Sequence, residues 1–122
     1  MIEKREIFLG RVIPKRINIL GVNVSAIDMP MALEVIDGWI ANREPNYVCI
    51  RDVNGVMACQ EDEEFRKIHN LAGMVTPDGM PLVWASRLLG FRQVKRVSGV
   101  DLMTAVCAHS VSKGYRHFFL WV

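Results

Sequence analysis

The sequence has no long uninterrupted hydrophobic segment. Residues 1–10 alternate charged and apolar side chains, unlike the continuous apolar core of a secretory signal. No other run approaches the ~20 apolar residues that a membrane-spanning helix needs. The sequence therefore predicts a cytoplasmic protein, which would approach a membrane from its inner face.

Cysteines and metal-ligand patterns are also sparse. Cys49, Cys59 and Cys107 include no CxxC pair, and their odd number leaves one outside any disulfide scheme. Reduced thiols in the cytosol are the simplest interpretation. The three histidines have no metal-ligand spacing to another histidine, cysteine or acid, so we predict structural roles for them and no metal site.

Several signature motifs are missing. The chain contains no GxGxxG after a strand, no GxxxxGK[ST] and no GxSxG, which argues against the usual dinucleotide, phosphate-loop and hydrolase sites. It also lacks an Asp-x-Asp motif of the kind that holds a metal against a diphosphate. The net charge of +2 gives no basis for a nucleic-acid partner.

The residues that are present have the pattern of a globular α/β protein. Of 122 residues, 51% are apolar and 23% charged, enough for one domain with a core. Asp28 or Ser25 is expected to cap the first helix, and Asp101 to cap or start the last. In chain order, the pattern predicts a strand pair or a bent strand at 16–24, with Gly21 and Asn23 supplying the turn, and then a helix at 32–40. A strand at 47–51, helices from 54 and at 65–71, and a strand at 73–76 follow. The last predicted elements are helices at 82–89 and 101–111 and a strand at 115–122.

This alternation predicts a Rossmann-like α/β fold, with a mostly parallel sheet flanked by helices. Residues 1–15 are assigned to an N-terminal extension and residues 16–122 to the α/β unit. Trp39, Trp84 and Trp121 lie on apolar faces and are predicted to be core. Because the chain stops on an apolar strand, we expect a domain interrupted at its C-terminus.

Three polar segments are expected at the carboxyl ends of the strands, where open parallel sheets bind ligands. They are residues 52–54, 76–79 and 96–101. Asp78 lies in a Pro-Asp-Gly turn, where its carboxylate could accept a proton from a sugar hydroxyl as a general base. The alternative is that Asp78 only caps a helix or shapes the turn.

The other candidates have similar alternatives. Asp52 and Asn54 could bind sugar hydroxyls, although Asn54 could equally cap the next helix. Arg96, beside Ser98 and Gly99 and ahead of a helix start, could bind a diphosphate or simply be exposed to solvent.

At these same segments the sequence resembles the WecG/TagA/CpsF glycosyltransferases, from about Ile17 to Leu120. The motifs that carry the resemblance are Ile19-Leu20-Gly21-Val22, Val53-Asn54-Gly55-Val56-Met57, Thr76-Pro77-Asp78-Gly79-Met80-Pro81 and Arg96-Val97-Ser98-Gly99-Val100-Asp101. The spacing of the Pro-Asp-Gly and Arg-Val-x-Gly-x-Asp motifs is fairly specific.

The resemblance implies an inverting transferase without a metal or other cofactor. Its partners would be a UDP-sugar donor, carrying N-acetylmannosamine, its uronic acid or glucose, and an undecaprenyl-diphosphate-linked saccharide acceptor. Asp78 matches the catalytic base, and Asn54 and Arg96 match pocket residues. We also assign Asp52, Thr76 and Gly99 to substrate binding.

Two departures bear on the resemblance. Teichoic-acid members have threonine where Asp52 stands, which places this chain closer to the exopolysaccharide branch. Family members are also considerably longer, so residues 16–122 correspond to the N-terminal half. The part that has no counterpart here supplies much of the nucleotide pocket and an appendage that makes peripheral contact with the inner membrane.

Two alternatives follow. The chain could be an inactive remnant that folds as an oligomeric or ligand-binding α/β module. A generic nucleotide-binding module is weaker, because the phosphate loops are missing.

Overall fold

The computed structural model describes residues 5–8 and 11–120. In chain order the elements are β1 (Arg5–Phe8), β2 (Arg11–Pro14), β3 (Arg16–Ile19), β4 (Val22–Ser25), α1 (Met29–Ala41), β5 (Val48–Arg51), α2 (Val53–Glu61), α3 (Glu63–Leu71), β6 (Met74–Pro77), α4 (Met80–Leu88) and α5 (Gly99–Lys113). The predicted α/β class is confirmed.

The described strands form three pairs. β1 pairs with β2 and β3 with β4, both antiparallel, whereas β5 and β6 are parallel. The predicted strand pair at 16–24 is therefore a hairpin. Its turn is Leu20-Gly21, where both residues have positive φ, as type I′ hairpin turns require. Asn23, predicted to supply the turn, lies within β4 instead.

A buried side chain connects the hairpin to the parallel pair. The Ser25 Oγ at the end of β4 accepts a hydrogen bond of 2.9 Å from the backbone N–H of Val75 in β6. Both residues are fully buried. The strands are thus arranged in the order β3, β4, β6, β5, with a side chain replacing backbone pairing between the middle two.

Helices cover both faces of these strands. Successive residues of a strand point to opposite faces, so neighbouring side chains pack against different helices. Met74 packs in a cluster with residues of α1 and α5, including Ala32 and Leu102. Its neighbour Val75 packs in a separate cluster with Val56 of α2 and Leu82 of α4. This two-sided core is the Rossmann-like feature of the fold.

Short polar side chains begin four of the helices. Asp28, Asp52, Asp62 and Ser98 each accept a hydrogen bond from a backbone N–H in the first turn of α1, α2, α3 and α5. Asp28 is therefore the cap of α1, as one of the two alternatives predicted. Asp101 does not cap α5; it lies in the first turn, and its N–H donates to the Ser98 Oγ.

The predicted strand at 115–122 is wrong for residues 115–120, which form no strand. Side-chain contacts hold this segment instead: the Tyr115 hydroxyl donates to Asp37 Oδ1 at 2.5 Å, and His117 contacts Ser110. No described strand pairs with it. Val122 and Trp121 lie outside the described residues.

Asp37 is the anchor of that segment. Burial acts to raise its pKa, but hydrogen bonds from Tyr115 and His109 outweigh burial and hold the pKa of Asp37 below its ordinary value. The contact therefore favours the charged carboxylate and persists at neutral pH.

The other sequence assignments have mixed outcomes. Trp84 is 57% exposed and is not core, because α4 turns its other side inward. The assignment of residues 1–15 to an extension stays a prediction, although β2 lies against α1.

The three cysteines are free thiols, and burial raises the pKa of Cys49 and Cys59. None of the helices in the described ranges has the length and apolarity needed to cross a bilayer.

We expect Ser25→Ala to lower the free energy of unfolding by about 1–3 kcal/mol, because the Val75 N–H would be left buried without an acceptor. Urea denaturation followed by circular dichroism measures the change. Ser112→Ala is the matched control, since the exposed Ser112 Oγ bonds only within its own helix at 3.3 Å. Equal losses in the two variants would show that Ser25 does not link β4 to β6.

Candidate functional site

The register of β5 and β6 brings the first two candidate segments together. Arg51 lies opposite Pro77, so both parallel strands end at the same level. The N–H of Asp78 donates to the Arg51 carbonyl at 2.9 Å, continuing the pairing by one residue. The two following loops touch: a Cβ built on Gly79 would lie 3.4 Å from the Cβ of Asp52.

The third segment reaches the same edge through backbone and side-chain bonds. The N–H of Val97 donates to the Pro77 carbonyl at 2.9 Å. Arg96 donates through Nε to the Asp78 carbonyl and through Nη2 to Asp78 Oδ1 at 3.2 Å. The predicted convergence of the three segments at the carboxyl edge of the strands is therefore confirmed.

Asp78 lies at the rim of this edge rather than in the core. Its side chain is 32% exposed and forms an ion pair with Arg96, whose side chain is 53% exposed. The N-cap of α4 is Gly79, and no side chain caps that helix. The alternative in which Asp78 caps a helix is therefore wrong, and its carboxylate remains accessible from solvent.

The cap of α2 is Asp52 and not Asn54, for which the sequence had left that role open. Asp52 is the cap of α2, with its Oδ1 accepting from the N–H of Gly55 at 3.0 Å. Asn54 lies in the first turn of the helix with an exposed side chain. Capping uses one oxygen of Asp52, so both residues still present polar atoms at the edge.

Thr76 differs from the other candidates. It is fully buried, and its Oγ1 has no hydrogen-bond partner among the described residues. A buried hydroxyl without a partner costs roughly 1–3 kcal/mol. Its assignment to substrate binding stays a prediction, and direct contact with a ligand would require neighbouring chain to move.

The start of α5 supplies backbone donors to the edge. Gly99 is its first residue and Ser98 its cap. The first N–H groups of a helix have no partner within the helix, and its dipole makes this end partially positive. Gly99 also packs closely, since a Cβ on it would lie 3.4 Å from Cδ1 of Ile50.

Two concave regions lie elsewhere on the molecule. A cavity of about 190 Å³ is bordered by β2, α1 and the 44–46 loop, with Trp39 and Asn46 in its wall. A shallow surface depression lies on α4. Neither includes Asp78. We take the sheet edge as the candidate site because acidic, amide and guanidinium groups converge there, whereas the wall of the cavity is mainly apolar or backbone.

No group of three or more histidine, cysteine or acidic side chains within residues 5–8 and 11–120 could hold a metal ion. The groups at the edge are the carboxylates of Asp78 and Asp52, the guanidinium of Arg96, the amide of Asn54 and the first N–H groups of α5. This set suits an uncharged polyhydroxyl group beside an anionic one.

A family model described as the glycosyl transferase WecG/TagA/CpsF family matches residues 17–120. The match includes every residue of the candidate edge. No curated protein matches the chain.

The Asp78–Arg96 pair should contribute little to stability, because exposed ion pairs are typically worth less than about 1 kcal/mol. A double-mutant cycle with Arg96→Gln and Asp78→Asn, followed by urea denaturation, measures the coupling. Arg16→Gln is the comparison in which removal of an arginine should destabilise the fold. The half-buried Arg16 donates to the carbonyls of Asn23 and Ala72, and its loss should cost about 2–3 kcal/mol.

A coupling energy above about 2 kcal/mol would contradict this expectation. It would make the pair a structural element and weaken the case that Asp78 is held ready for a ligand.

Proposed function

The chain belongs to the WecG/TagA/CpsF glycosyltransferase family, and we propose that it transfers a sugar from a UDP-sugar to an undecaprenyl-diphosphate-linked saccharide. The observation that carries the proposal is the accessible Asp78 carboxylate at the sheet edge, inside the matched segment. The product would enter cell-surface polysaccharide synthesis.

Asp78 is proposed as the general base. Its carboxylate takes the proton of the acceptor hydroxyl, and that oxygen forms a bond to the anomeric carbon of the donor sugar. The bond from that carbon to the diphosphate oxygen breaks, and UDP leaves with the electron pair from the opposite face. The configuration at the anomeric carbon is therefore inverted.

Arg96 and the start of α5 are proposed to bind the diphosphate. The guanidinium can form paired hydrogen bonds to phosphate oxygens, and the N–H groups at Gly99 favour an anion. Arg96 already contacts Asp78 at 3.2 Å, so one side chain would place the leaving group close to the base. This arrangement would supply positioning and charge stabilisation without a metal.

Asn54 and Asp52 are proposed to bind sugar hydroxyls from the other side of the edge. Asn54 is exposed in the first turn of α2, and Asp52 retains an oxygen beyond the one that caps the helix. N-acetylmannosamine, its uronic acid and glucose are the proposed donor sugars. The reaction would take place in the cytoplasm, at the inner face of the membrane that holds the acceptor.

A second candidate is a module that binds the UDP-sugar without transferring it. The favouring observation is that the described concave regions lie away from Asp78. Transfer needs exclusion of water from the reacting atoms, and an open edge gives little. Tight binding of a UDP-sugar with no release of UDP would identify this function.

We expect Asp78→Asn to reduce transfer by roughly 10²–10⁴-fold, since the amide cannot accept the proton. The assay measures UDP released from each UDP-sugar in the presence of a prenyl-diphosphate-linked saccharide. Asp62→Asn is the matched control, because Asp62 is an exposed aspartate that caps α3 through Phe65 N–H at 3.0 Å. Asparagine keeps such a cap, so this variant should retain activity.

Equal transfer by the wild type and Asp78→Asn would remove Asp78 from the mechanism. Equal loss in Asp62→Asn would show that the effect comes from folding rather than chemistry.

A further inference from the structure

The candidate edge carries different charges at its two ends. At one end the N–H of the exposed Lys95 donates to the carbonyl of Ile27, just after β4, at 3.2 Å. The next residue, Arg96, contacts Asp78 just after β6. At the other end an acid, Asp52, follows β5, the outermost strand on that side. The basic chain therefore lies on the β4 and β6 side of the edge, and an unpaired acid lies on the β5 side.

Asp52 retains a carboxylate oxygen that faces solvent. Its Oδ1 caps α2, but no residue of the described ranges bonds to its Oδ2, and the side chain is exposed. The second acid is close by, since the Asp78 N–H bonds to the carbonyl of Arg51, the residue before Asp52. This end of the edge therefore presents negative charge to any ligand that lies across it.

The cation nearest to Asp52 in the sequence is turned elsewhere. Within residues 44–65 the only basic residue is Arg51. Its Nε donates to His69 Nε2 at 2.5 Å, and its guanidinium lies over the Phe65 ring, 5.2 Å from the ring centre. Gly55 leaves room for this path, because a Cβ there would lie 2.5 Å from the Arg51 Cδ. Both partners of the guanidinium belong to α3.

His69 is a well-defined acceptor for Arg51. It is fully buried, and its Nδ1 lies 2.8 Å from the Phe65 carbonyl. A carbonyl oxygen can only accept, so Nδ1 carries the proton and Nε2 has a free lone pair. The Nε–H of Arg51 points at that lone pair. The positive charge is therefore held against α3 and not over Asp52.

We propose that Asp52 restricts the donor to UDP-sugars with an uncharged sugar, a hexose or an N-acetylhexosamine, and disfavours uronic acids. This restriction rests on the proposed transferase function and narrows its donor class. With the diphosphate on Arg96 and the start of α5, the sugar extends towards α2 and Asp52. Its hydroxyl groups can donate to the free Oδ2. A sugar carboxylate would meet a like charge there instead.

Arg96 does not offset that charge. It already contacts Asp78 at 3.2 Å, and the diphosphate would add further negative charge on the same side of the edge. A carboxylate on the sugar would then lie among anionic groups, with the Arg51 guanidinium held on α3. The cost is Coulombic, so it falls as salt screens the charges.

The test compares UDP-glucose with UDP-glucuronate, which differ only in the hydroxymethyl or carboxylate group at C6 of the sugar. Isothermal titration calorimetry of the full chain gives both dissociation constants without any acceptor. We expect UDP-glucose to bind roughly ten-fold more tightly than UDP-glucuronate. This ratio should decrease as the salt concentration rises.

Three variants examine the source of the ratio. Asp52→Asn should reduce it to about two-fold or less, because asparagine keeps the helix cap and removes the charge. Asp62→Asn makes the same change at the exposed cap of α3 and should keep the wild-type ratio. Arg51→Gln should also keep it, since that guanidinium is held by α3. A general loss of folding or affinity alters both constants and cancels in the ratio.

Equal binding of the two nucleotide sugars by the wild type, or an unchanged ratio in Asp52→Asn, would overturn the role of Asp52 and leave the transferase proposal standing. A larger ratio in Arg51→Gln would show that the guanidinium reaches the sugar carboxylate, and would overturn it as well. Discrimination in binding without UDP release to an acceptor would remove the transfer and support the specificity. Binding of neither compound would contradict both.

Discussion

The parallel register of β5 and β6 is the constraint on which the candidate site depends. With Arg51 opposite Pro77, the chain leaves both strands at one level, so Asp52 and Asp78 emerge side by side. A shift of one residue would turn every side chain of β6 to the other face, moving Met74 and Val75 between the two core clusters. Burial on both faces therefore fixes the position of the carboxylate.

The same edge collects groups of opposite charge from separate parts of the chain. Val97 bonds to Pro77, and this short link brings Arg96 onto Asp78 and the start of α5 close to Ile50. The acid and the cation therefore meet at the end of a sheet whose interior is apolar. Apart from the ion pair, the candidate site is made from strand ends and helix starts.

Much of this was predictable from the sequence. Hydrophobic periodicity and turn residues predicted the strand pair, the helices and the three polar segments, because each of these signals is local in the sequence. The contact between Arg96 and Asp78 was not predictable from pattern alone, since it depends on how the 92–98 chain returns to β6. The strand predicted at 115–122 is wrong over the described residues 115–120 for a related reason: an apolar run forms a strand only where another strand pairs with it. The prediction that Trp84 belongs to the core was wrong because the apolar character of a residue does not show which side of α4 packs against the strands.

The most direct test of the account is an amide-resolved NMR titration of the chain with a UDP-sugar. If the sheet edge binds the donor, the signals of Asp78, Gly79, Arg96 and Gly99 should shift together and saturate at one concentration. Signals from the cavity wall at Gly38 and Trp39 should stay in place. Saturable shifts confined to the cavity wall, with the sheet edge unchanged, would contradict it.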